Sequence, residues 1–254
     1  MDGPKIFIIT IDGPVASGKG SVARELAKIL GYHYLESGVI YRIIAVLILQ
    51  YFIDRKIGLD RVRAIATKIK RSSPEQILPV VNQENLGQII ELISVADLEI
   101  NDNEVIVNGK ELGELVFNET VGLVASFYSR ISEIRSSVIN LQRSFAKSPG
   151  LVTDGRDMGS VIFAEADLKV FLTATVKVRA ERAYHRYCKL HNQVEDNKFE
   201  EILHQLKLRD EQDTNRKYAQ LQYDDSYLFI DSSSLSITQV VDKILDLLKL
   251  KINK

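Results

Sequence analysis

Hydrophobic positions along the chain follow two rhythms. An unbroken apolar run, Ile6-Phe7-Ile8-Ile9-Thr10-Ile11, closes on Asp12 and reads as a strand buried on both faces. From Lys19 the period lengthens. Val22, Leu26, Ile29 and Leu30 recur at helical spacing, and Gly31 is placed to end that helix over 19–30. Tyr32 to Glu36 reads as a second short strand, and Val39 to about Phe52 as a long helix. A strand–helix–strand–helix opening implies parallel strands.

Between about Asp54 and Pro149 the rhythm changes. Val62, Ile65, Ala66 and Ile69 share one face of a helix over 60–72, and residues 84–96 read as another. Leu98-Glu99-Ile100 and Val105-Ile106-Val107 alternate around Asn101-Asp102-Asn103, a hairpin signal, and Asn108-Gly109 marks a further turn. Helical spacing resumes over 119–128 and 133–146. After Pro149-Gly150 the alternation returns, with strands at 151–154, 168–172 and 228–231 and helices at 176–191, 199–215 and 236–250. The pattern predicts an α/β fold with a central five-stranded parallel sheet flanked by helices. Its core is 1–53 with 150–254, a helical lid lies at roughly 176–198, and an inserted domain over 54–149 covers the site.

Composition narrows the setting. The 254 residues are 45% apolar and 26% charged, ordinary for a soluble globular protein of one α/β domain with a smaller appended one. A formal net charge of −1 gives no reason to expect a nucleic acid polymer as partner. The single cysteine, Cys188, excludes an internal disulfide and fits a reducing cytosol. The N-terminus lacks the pattern of a secretory signal. The longest apolar run, Ile43 to Ile53, is too short to span a bilayer and is broken by Gln50. A cytoplasmic monomer acting on small molecules, with no membrane partner, is expected.

Strand, glycine-rich turn and helix meet at Gly13-Pro14-Val15-Ala16-Ser17-Gly18-Lys19-Gly20-Ser21, the context of a phosphate-binding loop. Glycines let the backbone curl so that successive N–H groups face an anion, and the helix adds its positive end. Lys19 supplies a full charge for the β- and γ-phosphates of a nucleoside triphosphate, and Ser21 a hydroxyl suited to Mg²⁺.

Further along, Asp154 ends a strand of the alternation, where an acid suits a metal-orienting role or simply a turn. Arg156 offers a planar fork to a phosphate and Asp157 an acceptor for an exocyclic amine, or the two form a local ion pair. Ser37 either caps the second helix or belongs to a site; Arg42 is either a snorkelling arginine or a phosphate clamp. Arg209, Asp213 and Arg216 share a helix face, as a solvated ion pair would. Arg182 and Arg186 are a like-charge pair one turn apart, mildly unfavourable unless an anion bridges them. His33, His185, His191 and His204 form no ligand spacing, and Asn197-Lys198-Phe199-Glu200 does not fill the guanine-binding signature of GTPases.

With these residues assembled, the chain resembles bacterial-type cytidylate kinases, which are P-loop nucleoside-monophosphate kinases. The matching segments are Ile-Asp-Gly-Pro to Gly-Lys-Gly-Ser (11–21), Ser-Gly-x-x-Tyr-Arg (37–42), Arg135 to Gln142-Arg143, Asp-Gly-Arg-Asp-Met-Gly (154–159), Glu-Arg-Ala (181–183), Arg-Asp-x-x-Asp-x-x-Arg (209–216) and Ile230-Asp231-Ser232. Glu36 stands where the family usually has Asp, and Phe117 where an arginine is common. The resemblance implies transfer of phosphate from ATP, with Mg²⁺, to CMP or dCMP, and makes the insertion the monophosphate-binding domain. It implies that Gly13 to Ser21 hold ATP and that Ser21 and Asp154 serve the metal. Ser126, Arg135 and Asp157 would read cytosine; Arg42, Arg156 and Arg216 would hold the acceptor phosphate; Ser37, Arg209 and Asp213 would lie at the sugar. Lys19, Arg156 and the lid arginines Arg182 and Arg186 would be catalytic. The rival readings are a kinase for UMP, AMP or shikimate, or a non-catalytic ATP-binding regulator. The arginines at 156, 209 and 216 argue against a regulator, which needs no second phosphate site.

Overall fold

The structure, a computed structural model, describes residues 6–56, 81–100, 104–191, 197–215 and 220–252. In chain order its elements are β1 (Phe7–Asp12), α1 (Lys19–Leu30), β2 (His33–Glu36), α2 (Ser37–Asp54), α3 (Gln83–Ser94), β3 (Leu98–Ile100), β4 (Val105–Val107), β5 (Lys110–Glu111), a 3₁₀ turn (Gly113–Phe117), α4 (Glu119–Tyr128) and α5 (Ser132–Arg143). There follow β6 (Gly150–Gly155), a π-helical turn (Met158–Ile162), β7 (Leu168–Thr173), α6 (Val176–His191), α7 (Lys198–Thr214), β8 (Tyr227–Asp231) and α8 (Ile237–Ile252). Two units emerge, Met1–Glu36 with Phe145–Lys254, and Ser37–Ser144.

In the first unit, five strands pair in parallel in the order β2-β6-β1-β7-β8. This is the expected five-stranded sheet. Ile9 and Ile11 of β1 are fully buried, as an inner strand covered on both faces requires. They pack with Val22 and Leu26 of α1, Val240, Ile244 and Leu248 of α8, and Val152 and Val170 of the neighbouring strands. Strand order changes direction at β1, with β6 and β2 on one side and β7 and β8 on the other. Ligands of open α/β sheets bind beyond the carboxyl ends of strands at such a switch point. The register brings Asp12 beside Gly155 and Phe171, and Glu36 beside Asp154.

The second unit is built on α2, whose Val39, Ile40, Ile43, Ile44, Ile48 and Phe52 are all buried. It packs against α4, α3, α5 and the 3₁₀ turn. Val39 and Ile43 meet Val105 and Val107 of the antiparallel sheet β3-β4-β5 and Val116 of the 3₁₀ turn. Two expectations change here. The sequence reading kept the second helix with the core and began the insertion at 54, whereas the second compact unit starts at Ser37, because the buried faces of α2 are covered by the unit's own helices. It also took Ile43 to Ile53 as too short to span a bilayer. The continuous helix Ser37–Asp54 has 18 residues and is long and apolar enough by length and composition, though half of that stretch is buried within the protein. The helix expected over 60–72 and the turn at 101–103 lie outside the described residues.

Candidate active site

The glycine-rich loop leaves β1 where the sheet order turns. At Gly13 a side chain would run into the carbonyl oxygen of Leu172, so only glycine fits. Gly18, with φ of 92°, adopts the left-handed conformation that lets α1 start at Lys19. Val15 and Ser17 have their carbonyls tied down from outside the loop. The Val15 carbonyl accepts from Arg179 (3.2 Å), and the Ser17 carbonyl accepts from Arg182 (3.1 Å) and the Ser232 hydroxyl (3.2 Å). Carbonyls held on the far side leave the loop's N–H groups to face an anion.

Lys19 donates to the Pro14 carbonyl (3.3 Å). Burial and then the Arg156 guanidinium lower its ammonium to about 7, against the pull of Asp154 and Glu36. Asp154, at the end of β6, accepts from the Tyr34 hydroxyl (2.8 Å). Burial raises its carboxyl above the usual range, with Lys19 and the Tyr34 bond opposing. Gly20 faces this pair. A Cβ there would lie 3.6 Å from the Tyr34 hydroxyl and 3.8 Å from Asp154 Oδ2.

Ser21 follows Gly20 by about 100° around α1 and lines a separate cavity. The extra glycine after Lys19 takes the position facing the acid. Ser21's cavity holds about 380 Å³ and is lined by Gly18, Arg182, Arg186, Ser232, Leu235 and Ile237, among others. A loop flank, two arginines and an apolar wall make a fitting seat for a nucleoside. Among the described residues no three His, Cys, Asp or Glu side chains cluster to cage a metal. The oxygen donors at the strand ends, Asp154 with its register partner Glu36, fit Mg²⁺, which takes one or two carboxylates and keeps water and phosphate oxygens.

Beside Lys19, Arg156 donates through Nε to Asp213 of α7 (2.8 Å) and through Nη1 to the Gly155 carbonyl (3.2 Å). Asp213 thus reaches from α7 to the end of β6. Arg209, one turn earlier on α7, is exposed, and its charge is felt at Lys19. Asp157 is buried at the start of the π-helical turn. Arg216 lies outside the described residues. Lys19, Asp154, Arg156, Arg209 and Asp213 thus come together in the first unit.

In the second unit, Arg42 donates to the carbonyls of Val116 and Asn118 (3.0 Å each), and its guanidinium lies over Gly122. This is a fixed arginine and not a snorkelling one. Arg135 lies 5.1 Å over the Tyr41 ring and donates to the Ser129 carbonyl (3.2 Å). Ser126 sits on α4 close by, its own carbonyl bonded by Ser129 (3.0 Å). Ser37 is buried as the first residue of α2.

The model of the cytidylate kinase family matches residues 9–250. A cytidylate kinase of Polynucleobacter necessarius is 38% identical over 239 residues, covering 94% of this chain and 97% of its own. One of Nitrosomonas europaea is 34% identical over 247 residues, covering 97% of each chain, and one of Colwellia psychrerythraea is 38% identical, covering 94% of each. The chain belongs to the cytidylate kinase family.

Several contacts of this family member escape sequence reasoning. Arg179 is buried, bonds the Ala174 carbonyl (2.9 Å) and pairs with Asp210 of α7. Arg179, Arg182 and Arg186 fall on one helix face, a spacing that marked the face but not its partners. Ser232 bonds the carbonyls of Ser17 and Thr173, and Arg182 bonds both its hydroxyl and its carbonyl. Tyr34 and Asp12 gave no signal, since each acts on a segment more than a hundred residues away.

Proposed function

We propose that this member of the cytidylate kinase family transfers the γ-phosphate of ATP to CMP or dCMP, giving ADP and CDP or dCDP. The observation that carries the reading is the meeting of Lys19 with Asp154, Arg156 and Arg209 beyond the strand ends. A lysine on a phosphate loop serves a donor, whereas arginines beside it serve a second anion. The acceptor phosphate has a second pKa of ~6, so it is already largely dianionic at neutral pH. No general base is needed, and the protein's task is to align two anions and neutralise the charge between them.

In this reading the loop from Gly13 to Ser21 holds the ATP phosphates, and the cavity between Gly18, Arg182 and Ile237 holds its nucleoside. Asp154, with Glu36 beside it, would hold Mg²⁺ directly or through water, and the ion would neutralise the β- and γ-oxygens. Lys19, Arg156, Arg182 and Arg186 stabilise charge on the transferring group. Arg42, Arg156 and Arg216 hold the acceptor phosphate; Ser126, Arg135 and Asp157 read cytosine; Ser37, Arg209 and Asp213 contact the sugar. Ordering of α6 and α7 over ATP excludes water, whose attack would waste the donor. The free thiol of Cys188 supports a cytoplasmic setting.

A coupled assay of ADP release across CMP, dCMP, UMP, AMP and shikimate tests the reading. CMP and dCMP should stimulate release most. Preference for another acceptor would reassign the substrate, and release independent of any acceptor would remove the transfer activity.

A further inference from the structure

Asp12 is the last residue of β1 and has no solvent exposure. It lies outside the ATP, CMP and metal contacts assigned above. Its two carboxylate oxygens accept from successive backbone N–H groups of another segment, Met158 to Oδ1 (2.9 Å) and Gly159 to Oδ2 (2.8 Å), and the Tyr227 hydroxyl also donates to Oδ2 (3.2 Å). These N–H groups open the π-helical turn Met158–Ile162, whose first flanking residue is Asp157. A helical start leaves its first N–H groups without partners in the turn, and here a carboxylate from a neighbouring strand supplies them. The turn is pressed close to β1. A Cβ on Gly159 would lie 2.6 Å from the Thr10 hydroxyl and 2.7 Å from the Tyr227 hydroxyl. The charged groups that face Asp12 are few. Burial raises its carboxyl to about 6, the two N–H bonds and Tyr227 lower it, and the Asp157 carboxylate raises it. A fully buried acid beside another acid, at the point where the phosphate loop begins, is compensated by its two backbone partners and the Tyr227 hydroxyl.

We infer that Asp12 is a positioning residue for the acceptor base: by holding the N–H groups of Met158 and Gly159 it fixes the backbone from which Asp157 reaches cytosine. The inference rests on the reading of Asp157 as a cytosine contact. Asp12→Asn keeps the size and presents an amide hydrogen to one of the two N–H groups, so the turn must shift. Donor binding uses the loop that follows Asp12, whose carbonyls are tied by Arg179, Arg182 and Ser232 instead.

The test is steady-state kinetics of the full chain with CMP, UMP and ATP, alongside thermal unfolding. Asp12→Asn should raise KM for CMP about tenfold, the cost of a lost buried acceptor, and narrow the CMP-to-UMP ratio of kcat/KM while KM for ATP stays within about twofold. Tyr227→Phe keeps the ring and removes one donor, so it folds as wild type and should move KM for CMP about threefold in the same direction. An unchanged CMP-to-UMP ratio in both variants overturns the inference. So does an equal rise in KM for ATP and CMP, which marks general loosening. Asp157→Ala separates the two readings. If it narrows the ratio and neither Asp12→Asn nor Tyr227→Phe does, the positioning role alone falls. If Asp157→Ala leaves the ratio unchanged, the base contact and the inference fall together.

Discussion

Lys19 is where charge matters most at the residue scale. Its ammonium is lowered to about 7 by burial and Arg156, so above that pH the unliganded lysine is largely neutral. Triphosphate charge restores the ordinary preference for the protonated form. Binding of ATP at pH 8 should therefore take up about one proton, and affinity should fall as pH rises above 7. Calorimetry in buffers of different ionisation enthalpy measures this. No buffer dependence would mean that Lys19 is charged before ATP arrives. Lys19→Ala should cost ~10²–10³ in kcat, the size of a lost transition-state donor, with a smaller change in KM for CMP. Lys19, Asp154 and Arg156 were legible because each sits at a strand end or loop that its neighbours in sequence already define. The cavity that Ser21 lines with Arg182 and Arg186 was not legible, because motif spacing counts residues and says nothing of the neighbours that later elements bring. Asp12 and Tyr34 were illegible because their partners are set by the sheet's register.

Among the elements, α7 is held by two ion pairs nearly one turn apart. Asp210 takes Arg179 and Asp213 takes Arg156, and three of these four side chains are less than one-fifth exposed. Removing one partner strands a buried charge, which costs more than the pair contributes. Asp210→Ala should lower unfolding stability by about 3 kcal/mol, measured by denaturant titration. A loss below about 1 kcal/mol would mean that the Val15 and Ala174 carbonyls already satisfy Arg179. Such links also explain the limit of reading elements from sequence. The strand β1 announced itself by its β-branched run and α8 by its apolar face, since both patterns are local. The π-helical turn at 158–162 follows no local pattern, because what stabilises it is a carboxylate on β1. The start of the second unit at Ser37 was equally hidden, since an apolar helix reads the same whichever neighbours cover it.

For the whole molecule, stability should carry the signature of the raised Asp12. Its folded value near 6 exceeds the ordinary 3.8, so the native state holds the proton more tightly. The stabilisation this gives is complete below about 3.8 and is lost as pH rises through about 6. Between those values the stability of wild type relative to Asp12→Asn should fall as pH rises, seen in urea unfolding at a series of pH values. A constant difference would mean that Asp12 is ionised throughout. The sheet has a further consequence for how the molecule comes into being. Phe7 pairs with Gly150 and Ile9 with Leu168, so β1 has neither of its neighbours until more than half the chain has left the ribosome. The contiguous unit Ser37–Ser144 meets no such delay. During synthesis it can gather its core while the strand that carries the phosphate loop waits, apolar and unpaired, for partners not yet made.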